Sequence, residues 1–258
     1  MAFAIAMAGK GGTGKTTTAA LVVRALAELG ATSILAVDAD PNACLHEALG
    51  VEVERSVGEI TEQMLANAES NPGGMSKHLW LEYNVQRFLV ESRAFDLLSM
   101  GRPEGSGCYC YANDLVRGCI DDLQRGYGFV VMDNEAGLEH LSRRTTRDVD
   151  LLLLVSDPSV RGVATVARLS GLADELKIAV GARYLVVDRA TEPLDPALYD
   201  AVEGTGIPLL GVIPPDEGVT RADLTGAGLF DLPGDSPALA AVRAMLAGVV
   251  QLPAGATA

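Results

Sequence analysis

The nine residues GKGGTGKTT, Gly9 to Thr17, constrain this chain more tightly than any other stretch, and their neighbours narrow the choice further. Before them stands FAIAMA (Phe3 to Ala8), a short apolar run that meets glycine directly and reads as a strand buried on both faces. The sequence then continues as an amphipathic helix that stops at Gly30, where a left-handed residue is expected. Strand, glycine-rich turn and helix in that order satisfy GxxxxGK[ST], the P-loop pattern, in the context that gives the pattern its meaning. Gly9, Gly11, Gly12 and Gly14, with Thr13 among them, let successive backbone N–H groups turn inward on a phosphate, and the helix N-terminus adds partial positive charge. Lys15 should reach the outer phosphates of a nucleotide, Thr16 should offer its hydroxyl to magnesium, and Thr17 belongs to the same binding stretch.

The rest of the chain repeats the alternation. SILAVDAD (Ser33 to Asp40), FDLLSM (Phe95 to Met100), FVVMD (Phe129 to Asp133), LLLLVSD (Leu151 to Asp157), YLVVD (Tyr184 to Asp188) and LLGVI (Leu209 to Ile213) are short apolar runs. Helical periodicity fills most of the gaps, as in VATVARLSGLADEL and in SPALAAVRAMLAGVV, which Ser236 opens as N-cap and Pro237 as first-turn residue. Such alternation predicts an α/β fold: a mainly parallel central sheet, helices on both faces, and ligands beyond the carboxyl ends of the strands. With no repeat, charge block or Ser/Pro-rich linker dividing the 258 residues, a single domain is expected. Between Val51 and Ser92, NPGG (Asn71 to Gly74) breaks two helical stretches.

Charge and composition exclude several partners. A formal charge of −14 argues against a surface for nucleic acid, which needs clustered Lys and Arg. The N-terminal apolar run is too short for a signal core or a bilayer span, and the tail AVRAMLAGVVQLPAGATA has no basic amphipathic face, so no membrane partner is expected. A cytoplasmic chain keeps its thiols reduced. Four cysteines at this length make no disulfide framework, and the close pair in GCYCY (Cys108 and Cys110) points to metal or redox chemistry. In an extended segment both sulfurs point to one side and can chelate one soft ion. Cys119, inside LVRGCIDDL, reads as a small packed hydrophobe, and His46, His78 and His140 are scattered singly.

Lys10, directly after the first glycine of the P-loop, resembles the signature lysine of the deviant Walker A class that includes MinD, ParA and the nitrogenase iron protein. The resemblance implies an ATPase that binds ATP or ADP with magnesium, and a homodimer in which Lys10 reaches the partner's nucleotide. VDADPN fits the class's first switch loop. Asp40 is then the residue that orients or activates water, with Asp38 supporting it or the magnesium shell. Asp133, ending FVVMD, matches the carboxylate that holds magnesium through water, and Asn134 to Gly137 resemble the second switch. By the same resemblance Asp188, Arg189, Pro214, Pro215 and Asp216 flank adenine, although the class often has Asn where this chain has Asp188.

SMGRPEGSGCYCYANDLVRGC and DNEAGLEHLSRRTT, together with VSDPSVRGVATVARL, resemble the CooC family, ATPases that assist nickel insertion into carbon monoxide dehydrogenase. That likeness implies a nickel or zinc ion held by Cys108 and Cys110 of two copies across a two-fold axis, with apo carbon monoxide dehydrogenase as client. A redox carrier like the nitrogenase iron protein needs a further cysteine after the Asp133 strand, where NEAGLEHLSRRTTRDVD has none, whereas four thiolates from two CxC pairs also suit an iron–sulfur cluster. A positioning ATPase of the MinD or ParA kind would need a membrane or DNA surface.

Overall fold

The computed structural model describes residues 2–66, 75–101, 110–135 and 148–251. NPGG and Cys108 fall outside them, as do the second-switch residues after Glu135. The strands are β1 (Phe3–Gly9), β2 (Ile34–Asp38), β3 (Val90–Glu91), β4 (Asp96–Ser99), β5 (Phe129–Asp133), β6 (Asp148–Ser156), β7 (Ala179–Asp188) and β8 (Leu209–Ile213). They form one sheet in the order β3-β4-β2-β5-β1-β6-β7-β8, parallel except for the antiparallel edge pair β3 and β4. The α-helices are α1 (Lys15–Glu28), α2 (Leu45–Leu49), α3 (Val57–Ala66), α4 (Lys77–Arg87), α5 (Cys110–Gln124), α6 (Val160–Glu175), α7 (Pro196–Glu203), α8 (Glu217–Thr225) and α9 (Pro237–Val249).

Period-two alternation along the buried strands supplies two separate cores. Ile5, Met7, Ala36, Val131 and Leu153 face one way and pack with Leu21 and Leu26 of α1, Leu45 and Leu49 of α2, and Leu239, Val242 and Leu246 of α9. Ala4, Ala6, Val37, Val130, Met132 and Leu152 face the other way, toward Ile60, Leu81, Ile120, Val163, Val166 and Val202 of α3 to α7. Both faces are thus covered, as a parallel sheet requires.

Helix ends follow local chemistry. Ser236 Oγ accepts from Leu239 N at the start of α9, with Pro237 in its first turn. Helix α1 ends at Glu28, and Gly30 takes φ 86° as the left-handed stop. Helix α6 begins at Val160, three residues before the periodic stretch, because Ser159 caps it through Gly162 N. Strands β6 and β7 also start earlier than their apolar runs, since Asp148 to Asp150 and Ala179 to Arg183 pair as an extended ladder despite polar residues. Cys119 is buried on α5. Among the described residues no helix is long and apolar enough to cross a membrane.

Candidate active site

Strand β1 is the centre of the sheet, flanked by β5 and β6, and its carboxyl end delivers the glycine-rich turn to the N-terminus of α1. Two glycines there are obligatory for different reasons. At Gly9 a Cβ would run into the Val155 carbonyl oxygen of β6, so the strands could not pair this closely. At Gly14, φ is 88° and a Cβ would strike the Asp188 carboxylate. Thr13 Oγ1 donates to the Lys10 carbonyl at 2.9 Å, and Lys15 Nζ, largely buried, lies 3.4 Å from the same oxygen. Lys10 is itself exposed.

Two carboxylates from distant parts of the chain meet beside this turn. Asp38 and Asp133 are register partners across β2 and β5, and both are essentially fully buried. Thr16 Oγ1 donates to Asp133 Oδ2 at 2.6 Å. Asp133 Oδ1 is buried with no partner among the described residues. An orphan carboxylate oxygen next to a P-loop hydroxyl is the donor set that a hydrated divalent cation completes, so these residues fit magnesium. Asp38 accepts from the backbone N–H of Asp40 at 3.2 Å and of Leu45 at 2.9 Å, which shapes the loop after β2 from within. Asp40 Oδ1 in turn accepts from Asn42 N at 2.8 Å and Asn42 Nδ2 at 3.0 Å.

Burial pushes the Asp133 carboxyl up to about 7; the Thr16 hydroxyl opposes the rise, Asp38 adds to it and Lys15 opposes it. Burial likewise pushes Asp38 up to about 6 against its two backbone hydrogen bonds. Their unfolded values lie near 3.8, so between about pH 4 and 7 the folded state binds more protons than the unfolded one. Stability is therefore lost as pH rises through the folded values. Thermal unfolding of metal- and nucleotide-free protein in EDTA should give a Tm several degrees lower at pH 8 than at pH 6; a Tm that rises over that interval would remove the buried-carboxylate penalty from the account.

A cleft of about 470 Å³ opens along these groups, lined by Gly11, Gly12, Gly14, Lys15, Thr16, Thr17, Asp40, Asn42, Glu135 and Arg189. Asn42 and Glu135 line it as well; each belongs to a stretch that the family resemblance marks, VDADPN and residues 134–137, though neither was given a role of its own. Arg189 arrives from the end of β7, where its Nη2 donates to the Gly12 carbonyl at 2.8 Å and its Nε lies 3.2 Å from Asp188 Oδ2. Asp188 is buried behind the turn against Gly14, not in the cleft lining, and its burial raises its carboxyl to about 6. Pro214, Pro215 and Asp216 also stand outside the lining. Asp216 caps α8 through Gly218 N and Val219 N and ties the start of α9 through Ser236 Oγ at 2.6 Å and Ala238 N at 3.2 Å. Burial alone would raise its carboxyl, yet these donors outweigh burial and hold it below the usual range.

The cysteine pair falls on residues of which little is described: Cys108 lies outside them, and of Cys110 only its backbone place at the start of α5 is known. The chain that leads there leaves β4 at Ser99, register partner of Asp38, and Met100 N donates to the Asp38 carbonyl at 2.8 Å. Because α5 connects two parallel strands, its first residue returns from the carboxyl edge of the sheet, the edge of the cleft.

Fold and site together define a P-loop nucleoside triphosphatase. Residues 4–230 match the family described as CbiA, the CobQ/CobB/MinD/ParA nucleotide binding domain, and the chain belongs to that family. It is an ATPase, as members of the family are. It is 44% identical over 231 residues to an uncharacterized ATP-binding protein of Methanocaldococcus jannaschii, covering 89% of this chain and 91% of that one. It is 34% identical over 240 residues to the carbon monoxide dehydrogenase accessory protein CooC of Rhodospirillum rubrum, covering 88% and 89%. Its fold is similar to that of the MinD cell division protein of Aquifex aeolicus, with a TM-score of 0.69 and 20% identity over 98% of this chain and 99% of that one. Nucleotide and magnesium are the usual ligands of ATPases in this family, and those of the MinD/ParA type are nucleotide-dependent dimers.

Proposed function

We propose that this protein is a cytoplasmic metallochaperone ATPase: a homodimer, closed by ATP, that carries nickel or zinc between the Cys108 and Cys110 pairs of its two subunits and assists nickel insertion into apo carbon monoxide dehydrogenase. The observation that carries the reading is the bracketing of the cysteine segment by Ser99, paired with Asp38, and by the first residue of α5 at the same sheet edge. A nucleotide-driven change at Asp38 is then felt at Ser99 and Met100, where the chain leaves for the cysteine segment. The likeness to the CooC accessory protein over 240 residues supports the client.

Within the cleft the chain's own groups divide the work. Lys15 and the P-loop N–H groups bind the outer phosphates, Asp188 backs the turn that holds them while Arg189 lines the cleft, and these two with Pro214, Pro215 and Asp216 flank the adenine. Thr16 and Asp133 would hold magnesium, which when bound supplies charge neutralisation on the phosphates. Asp40 orients the attacking water, held in place by Asn42, and Asp38 shapes the loop that carries it. Lys10 is exposed and free to reach a partner's nucleotide, which makes dimer closure and hydrolysis one event.

The test is anaerobic metal binding with sedimentation, with ADP or a non-hydrolysable ATP analogue, for wild type and Cys108→Ser/Cys110→Ser. One ion per dimer is expected, lost in the double variant. The ATP analogue should tighten metal binding by the factor by which metal tightens the analogue, since coupling is reciprocal. Wild type that binds no metal and dimerises equally with either nucleotide would overturn the proposal.

A further inference from the structure

The ladder between β1 and β5 closes on the pair Met7 and Asp133. Asn134 follows, 1% exposed, and its Nδ2 donates to the Met7 carbonyl at 2.9 Å. A side-chain amide thus carries the connection of the two strands one step beyond their last paired residues. Met7 lies two residues before the P-loop, and Asp133 accepts from Thr16 at the start of α1. The contacts close a circuit: Met7 leads through the P-loop to Thr16, Thr16 bonds to Asp133, and Asp133 leads through one peptide to Asn134 and back to Met7.

Alternation along the strand puts Met132 on the face opposite Val131, so Asp133 reaches toward α1 while Asn134 grips the strand from the next position. A twist of the β5 end that freed Asn134 would carry the Asp133 carboxylate away from Thr16. Stability alone does not account for an amide here. Asn134 Oδ1 is buried without a partner among the described residues, and an unpaired amide oxygen carries a desolvation cost that an apolar side chain would avoid.

We infer that Asn134 is a positioning residue for ATP turnover: its hydrogen bond to the Met7 carbonyl sets where the Asp133 carboxylate stands relative to Thr16, and thereby how tightly magnesium nucleotide is held. The inference rests on the reading that Thr16 and Asp133 hold magnesium.

Asn134→Asp, which keeps shape but loses the donor, and Asn134→Ser are compared with wild type in full-length protein. Affinity for a fluorescent ADP is measured in EDTA and at rising magnesium, beside the magnesium dependence of ATP turnover. In EDTA both variants should bind ADP as wild type does, which shows an intact fold. The tightening of ADP by magnesium should shrink, and the magnesium needed for half-maximal turnover should rise, each by about 10-fold, as when a residue supporting a metal ligand is lost. Variants that retain the wild-type magnesium response, or that lose ADP binding equally with and without magnesium, would show Asn134 to be only structural and overturn the inference. Wild type whose ADP affinity ignores magnesium would instead strike at the magnesium reading, and the inference would fall with it.

Discussion

Asp133→Asn is expected to make the metal-free protein more stable at pH 8 and nearly inactive as an ATPase. Burial raises the Asp133 carboxyl from 3.8 to about 7, so at pH 8 the folded protein holds an ionised group that prefers water. A shift of that size corresponds to an upper limit of about 4 kcal/mol. Asparagine removes the charge and keeps an oxygen for the Thr16 hydroxyl, but sets an amide N–H where Oδ1 now lies unpaired, returning about 1–3 kcal/mol. The net gain should be at most about 1–3 kcal/mol, or about 2–12 °C in Tm for a chain of this size. The charge contribution should shrink as pH falls through 7 and vanish near 4, where the unfolded carboxyl is protonated too, so the variant's advantage should disappear between those values and leave it the less stable form near 4. Turnover should fall at least about 100-fold, because a neutral amide cannot give the charge that the magnesium site needs. Melting in EDTA across pH with a steady-state phosphate assay tests both halves. A variant less stable at pH 8 would refute the buried-charge account, and unchanged turnover would remove Asp133 from the machinery.

The second large effect is Gly14→Ala. The residue stands at φ 88°, where an L side chain is strained by about 1–3 kcal/mol. Its Cβ would also collide with the buried Asp188 carboxylate, an overpacking of about 1–3 kcal/mol. Both are relieved by displacing the turn that cradles the phosphates, so ADP affinity should fall about 100-fold. Asp188→Ala removes the obstacle but not the dihedral strain. Placed in the Gly14→Ala background, it should recover about 10-fold, a coupling of about 1.4 kcal/mol between the two positions. Calorimetric ADP binding by the four proteins of the cycle checks this, and strictly additive losses would mean that Asp188 is not what Gly14 must avoid.

These two positions differ in how readable they were. Gly14 belongs to a pattern whose chemistry is local: nine residues fix a turn, a helix start and a row of inward N–H groups, so the phosphate site stood in the sequence. Asp133 was legible as a carboxylate ending an apolar run, but its burial, and hence its shifted acidity, was not. Asp216 was legible only in part. The family resemblance sets it beside adenine, while its hold on the starts of α8 and α9 came from the structure, because Ser236 and Ala238 are folded onto it from the next helix. Strand β3 went unseen because two residues carry no periodicity, and the amino ends of β6 and β7 because Asp148, Asp150 and Arg183 interrupt the apolar runs there while the backbone ladder continues.

By itself the sequence determined the alternation of strands and helices, the P-loop, and the carboxyl edge as the site, since apolar period and glycine conformation act within a few neighbouring residues. Tertiary structure alone decided the strand order that sets Asp38 beside Asp133, the bond from Arg189 to Gly12, and the amide of Asn134 on Met7. Each of those contacts joins residues far apart along the chain. Their meeting depends on which strands lie side by side, and the same local patterns are compatible with more than one such order.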